Sequence, residues 1–189
     1  MFIQPITWFD QTFLWRLENT LGNMFDGALF RISSDIILPP LTAFNWYRQQ
    51  YYSPSIIKYI YNKIQDIITK EYNYVICLGD IDAYSDNLNF VFGEAAPYLK
   101  VACVYTRRLK TFTSSSFTID ISQLYLERTI KEIVHEWGHL LGLTHCADKN
   151  CVMSFSNSII EVDAKTPFFC NRCAKKLFDK YNIIQRRRQ

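Results

Sequence analysis

Histidine is scarce in this chain, with three residues among 189, and all three fall between positions 135 and 145. Glycine and proline are few, six of each, which excludes a collagen-like or low-complexity chain. Long apolar runs are missing too. The longest stretch without Asp, Glu, Lys or Arg is Ile36 to Tyr47, 12 residues that include two prolines, whereas a membrane span needs ~20. Nor does one sign of charge dominate: 21 basic against 18 acidic residues leave +3, too little to imply a polyanionic partner. The one basic run, Arg186 to Arg188, reads as a solvated tail. Asp10 precedes the first basic residue, Arg16, unlike a secretory signal, so either the chain is not exported or a signal has been removed; a cytoplasmic location is the expectation. What remains is apolar mass. With 14 Phe, 12 Tyr and 4 Trp, the chain can fill the core of a single domain, expected as a monomer.

The order of elements reads as α/β. Met1 to Ile6 and Ala28 to Ile32 are strand-like, and between them Asp10 can cap a helix carrying Phe13, Leu17 and Leu21, stopping near Gly22. Ser53-Pro54-Ser55 opens an amphipathic helix with Ile56, Ile57, Ile60, Ile64, Ile67 and Ile68 on one side. Three short β-prone runs follow, Tyr74 to Leu78, Leu88 to Phe92 and Val101 to Thr106, separated by turn residues. The pattern predicts a layered fold with a mixed sheet. Asp120 or Ser122 can cap a last long helix running to about Gly142, and a short helix is expected near Ala174 to Tyr181.

On that long helix, 100° per residue puts Leu126, Ile130, Ile133, Val134, Trp137, Leu140 and Leu141 between ~140° and ~260° from His135. His139 lies at only ~40°, so both histidines face away from the core. Residues i and i+4 stand one above the other, where two imidazoles can take two corners of one tetrahedral zinc. Glu136 is turned by ~100°, within reach of a water on the metal without ligating it. Gly142 accepts the left-handed conformation that ends a helix, turning the chain so that His145 can supply a third ligand. Three ligands leave one position open, as a catalytic zinc requires. Such a metal lowers the pKa of water toward ~7, and Glu136 can act as general base on it.

The string His135-Glu136-x-x-His139-x-x-Gly142-x-x-His145, followed by Met153, resembles the metzincin clan of zinc peptidases. Within the clan it is most similar to the archaemetzincins, on Cys146, Cys151-Val152-Met153 and Cys170-Asn171-Arg172-Cys173; the resemblance covers most of the chain, including Asn87 to Ala95 and Phe155 to Ser158, and is most specific from His135 to Cys173. The resemblance implies a mixed-sheet upper subdomain over residues 1–142 that ends in the active-site helix, a lower subdomain over 143–189, and two zinc ions. It also implies that Met153 packs beneath the metal site as the Met-turn. Some metzincins place a tyrosine two residues after that methionine; here the place holds Phe155, with no hydroxyl, and no oxyanion stabiliser is assigned.

Six cysteines without an export signal argue for thiols or metal ligands before disulfides. Cys146, Cys151, Cys170 and Cys173 lie within 28 residues as two close pairs, a set that can close a structural zinc site. Cys77 and Cys103 lie in apolar runs and read as buried free thiols. The leading expectation is therefore a zinc metallopeptidase with a peptide or protein substrate, accepted along an edge strand of the sheet. A second reading is a zinc-stabilised binding module in which Lys175, Lys176 and Arg186 to Arg188 meet nucleic acid or another acidic partner. A third is a peptide-binding protein with little turnover. Asp80, Asp82 and Tyr84 are weak candidates for the cleft wall.

Overall fold

A computed structural model describes residues 1–70, 73–111 and 121–186. Asp120, Arg187, Arg188 and the side chain of Ile67 lie outside the described residues. The central sheet is built from β1 (Phe2–Pro5), β3 (Arg31–Ile32), β6 (Val75–Gly79), β9 (Gly93–Ala96) and β10 (Val101–Tyr105). Its order is β3-β1-β6-β10-β9, parallel throughout except for β9, which runs antiparallel to β10 and forms an edge. Alternation along the strands divides two cores. Ile76, Leu78, Ala102 and Val104 face one side, against α1 (Gln11–Met24) and α3 (Ile121–Leu140). Val75, Cys77, Val101 and Cys103 face the other, against Ile56, Ile57, Ile60, Ile64 and Ile68 of α2 (Ser53–Lys70).

Asp10 caps α1 as expected, its carboxylate accepting from Phe13 N at 3.0 Å. Other boundaries differ from the sequence reading. The run Leu88–Val91 (β8) does not join the central sheet. It pairs with β7 (Ala83–Ser85) in a second sheet that also contains β4 (Phe44–Asn45) and β5 (Gln50–Tyr52). The edge strand β9 was hidden in what reads as punctuation, because Gly93, Glu94, Ala95 and Ala96 carry no β-branched or aromatic side chain. Of the expected strand Ala28 to Ile32, only Arg31 and Ile32 are in β3.

The segment after α3 holds α4 (Ile159–Ala164), α5 (Asn171–Tyr181) and β11 (Ile184–Gln185). It does not sit apart. Leu143, Val152, Met153, Phe169, Leu177 and Ile183 join the same core as α1 and α3, and β11 pairs with β2 (Phe25–Asp26). Arg186 is held rather than loose, its Nε donating to Asp26 at 2.7 Å. Among the described residues, no helix is long and apolar enough to cross a membrane.

Candidate metal centre and active-site cleft

From Arg128 onward α3 is buried on both faces. Its apolar stripe packs on the sheet and α1, as the wheel predicts, but His135 is only 5% exposed. The polar stripe faces not open solvent but a cleft of about 580 Å³, walled by β8 and β9 on one side and by residues 155–157 and Lys165 on the other.

At the end of the helix, Gly142 adopts φ +91°. Leu143 N donates to Gly138 O and Gly142 N to His139 O, both at 2.9 Å. These two bonds form a Schellman cap, which satisfies carbonyls the helix would otherwise leave orphaned. The cap also aims the Leu143 carbonyl back at His139, whose Nδ1 lies 2.9 Å from it. The Val152 carbonyl does the same for His135 at 2.7 Å. A carbonyl can only accept, so Nδ1–H is the donor in both rings and each Nε2 presents a lone pair. The two Nε2 atoms are 3.1 Å apart, and one ring nitrogen from each of His135, His139 and His145 lies within 4.8 Å of the others.

That donor set fits zinc. Two nitrogens at ~2.0–2.1 Å from one tetrahedral ion stand about 3.3 Å apart. Burial lowers the pKa of all three rings, well below the ordinary value for His135, and so favours the neutral imidazole that ligation needs. Glu136 is 4% exposed. Burial, with Glu132 one turn away, raises its carboxyl well above the usual range. Its carboxylate rests against the backbone of β9.

Beneath the site, Met153 is fully buried, and a Cβ added to Gly138 would stand 2.3 Å from its sulfur. A mid-helix glycine is disfavoured by about 1 kcal/mol relative to alanine, and the methionine occupies the space it frees. Phe155 is 46% exposed, with its ring centroid 5.1 Å from that of His145.

The four cysteines form a second cluster whose sulfurs also lie within 4.8 Å of one another. Cys146 Sγ and Cys170 Sγ are 3.8 Å apart, which excludes a disulfide and matches the ~3.8 Å edge of a tetrahedron with Zn–S bonds of ~2.3 Å. Burial alone would raise the Cys146 thiol. The backbone at Asp148, the guanidinium of Arg172 and hydrogen bonds from Cys170 and Cys173 bring it down to about 7. Arg172 Nη2 donates to Cys146 Sγ at 3.3 Å, and Cys170 N donates to Cys151 Sγ at 3.3 Å. Cys146 is buried and its neighbour His145 exposed, so one peptide joins the two clusters, as alternation predicts. Cys77 and Cys103 are buried, unbridged register partners on β6 and β10.

Other candidates fall elsewhere. Asp80 pairs with Lys110 at 2.7 Å and Asp82 with Arg108 at 2.7 Å, so both are occupied in ion pairs away from the cleft, and Tyr84 does not line it either. Of the basic residues that a binding module would use, Lys175 bonds Asp179 and Arg186 bonds Asp26.

Sequence reasoning missed a buried pair at the cleft. Lys165 Nζ, 1% exposed, lies 2.9 Å from Glu132 Oε1, 4% exposed. This is a contact of charges, for that oxygen accepts no hydrogen bond of good geometry. No one-dimensional pattern links residues 33 positions apart. The two carbonyls that orient the histidines left no trace either, since backbone groups have no residue code.

Comparison with known proteins yields concordant matches. The profile of Peptidase family M54 matches residues 6–179. The archaemetzincin of Aeropyrum pernix is 44% identical over 154 residues, covering 82% of this chain and 79% of the relative. That of Methanocaldococcus jannaschii is 39% identical over 179 residues, 94% and 92% of the two chains. Among solved structures, archaemetzincin from Archaeoglobus fulgidus, crystallised with malonate, superposes with a TM-score of 0.73 at 34% identity, covering 93% of this chain and 98% of the other.

Proposed function

Because the chain belongs to peptidase family M54, the archaemetzincins, and is thus a zinc-dependent metallopeptidase, we propose that His135, His139 and His145 hold its catalytic zinc and Glu136 its reacting proton. The observation that carries this is the convergence of three ring nitrogens within 4.8 Å, two of them fixed by carbonyls behind, in a cleft that also contains a buried carboxylate. Bound there, zinc supplies Lewis acidity, polarising a peptide carbonyl and making water acidic near neutral pH. Glu136 accepts a proton from the attacking water and returns it to the leaving amine nitrogen. A peptide lies along the free edge of β9, its main chain bonding to the strand. Cys146, Cys151, Cys170 and Cys173 hold a second, structural zinc, closed to water by four thiolates. Function divides at Gly142: residues 1–142 supply the sheet and the first two histidines, and residues 143–189 supply the third and the second metal. Six unbridged cysteines suit a reducing compartment, the cytoplasm, and the chain acts as a monomer.

A metal count and a peptide-library digest on the wild type and Glu136→Gln test this reading. Two zinc ions per chain in both proteins are expected, with kcat/KM about 10²–10⁴-fold lower in the variant. One ion per chain, or unchanged cleavage, overturns it. Binding to nucleic acid that collapses with salt and survives Glu136→Gln favours the module instead.

A further inference from the structure

We infer that Gly93 is a positioning residue for hydrolysis: the side chain it lacks is the seat of the Glu136 carboxylate. This rests on Glu136 being the general base. Gly93 begins β9, at the edge of the sheet, where glycine is a poor strand former because it has no side chain to pack and loses much backbone freedom. Its backbone does not demand glycine, since among the described glycines only Gly27 and Gly142 have positive φ. The reason is space. A Cβ built at Gly93 would stand 2.4 Å from Glu136 Oε1, 2.6 Å from Cγ and 2.7 Å from Cδ. The carboxyl end of the side chain is therefore laid directly on the strand, in the volume that any other residue would fill.

Register explains why this position and not the next. Gly93 pairs with Val104, which faces the α3 side of the sheet, whereas Glu94 pairs with Cys103, which faces the α2 side. Along β9, Gly93 and Ala95 thus point toward α3, and both are small. Glu94 turns the other way, accepting from Ser85 Oγ on β7 at 2.6 Å. The strand beside which we place the substrate thereby also fixes the depth of the base. An alanine at 93 is tolerated only if the carboxylate leaves its place. A general base works within ~2.6–3.2 Å of the proton it takes, and a displacement of about 1 Å can cost about 10²-fold in rate.

The test is a double-mutant cycle on Gly93→Ala and Glu136→Ala, read by activity and by melting of the metal-free proteins. In the otherwise wild-type protein, Gly93→Ala is expected to lower kcat about 10²-fold, with KM within about threefold and zinc content unchanged. It is also expected to lower the melting temperature there, but to leave it unchanged or raise it beside Glu136→Ala, where no carboxylate competes for the space. A Gly93→Ala protein that folds only in the Glu136→Ala background supports the inference equally. Equal melting shifts in both backgrounds, failure to fold in both, or kcat within twofold of wild type overturns it. Cleavage that survives Glu136→Ala alone overturns the assignment of the base itself, a separate result.

Discussion

At the scale of single residues, Gly142 does two things at once: it ends α3 and directs the Leu143 carbonyl onto His139. An alanine there meets no crowding, for the nearest atom to its Cβ is Lys180 Nζ at 3.5 Å. The cost is backbone strain at φ +91°, about 1–2 kcal/mol. Gly142→Ala should therefore melt a few degrees lower and, with the carbonyl displaced, bind zinc at the histidine cluster about tenfold more weakly. Differential scanning calorimetry and competition against a chelating dye measure the two effects. The histidines and Gly142 were legible in the sequence because a helix repeats with a fixed period and its cap obeys local rules. Gly93 and Lys165 were not, since each acts on a residue brought near only by the tertiary fold.

Elements show the same contrast between local and long-range information. α3 is readable from periodicity alone, yet its polar stripe grips a segment no pattern announces. Arg128 forms a bidentate pair with Asp163 at 2.6 and 2.7 Å and donates to the carbonyls of Leu109 and Thr111. Lys131 Nζ donates to the carbonyls of Val162 and Asp163, and Glu132 meets Lys165. One stretch of α3 thus holds α4 and Lys165 behind it, which lie beside the cleft-lining residues 155–157 in the chain, Lys165 itself lining the cleft. Removing one partner of a buried pair leaves an uncompensated charge, a loss of about 3–5 kcal/mol. Lys165→Met should lose that much in denaturant unfolding, while Lys165→Met combined with Glu132→Leu should recover most of it. If the double variant is no more stable than the single, Lys165 acts through contacts other than its pairing with Glu132. The edge strand β9 was missed for a different reason: its small residues leave room for α3 and the cleft, and carry none of the bulk by which strands are recognised.

For the whole molecule, the sequence's cysteine spacing pointed to four sulfurs that do converge, but not to this region's sharing the principal core. Phe169 and Leu177 pack there beside Trp137 and Phe25, so the second cluster anchors to the first half of the chain as well as to its own loop. Through the His145–Cys146 peptide it also fixes the third imidazole. Cys170→Ser should accordingly disorder the residues after His145 and weaken zinc binding at the histidines. Hydrogen exchange and a zinc titration check this, and retained affinity would contradict it. The ribbon that joins β2 to β11 adds a constraint of another kind. Asp26 and Arg186 meet across 160 positions of sequence, and the parallel neighbours of β1 lie far along the chain as well. Folds dominated by such distant pairings acquire their native topology slowly, and during translation Asp26 leaves the ribosome long before its partner is made. That ribbon can therefore close only after residues 184–186 have been made, and refolding rate is the property expected to respond when it is weakened.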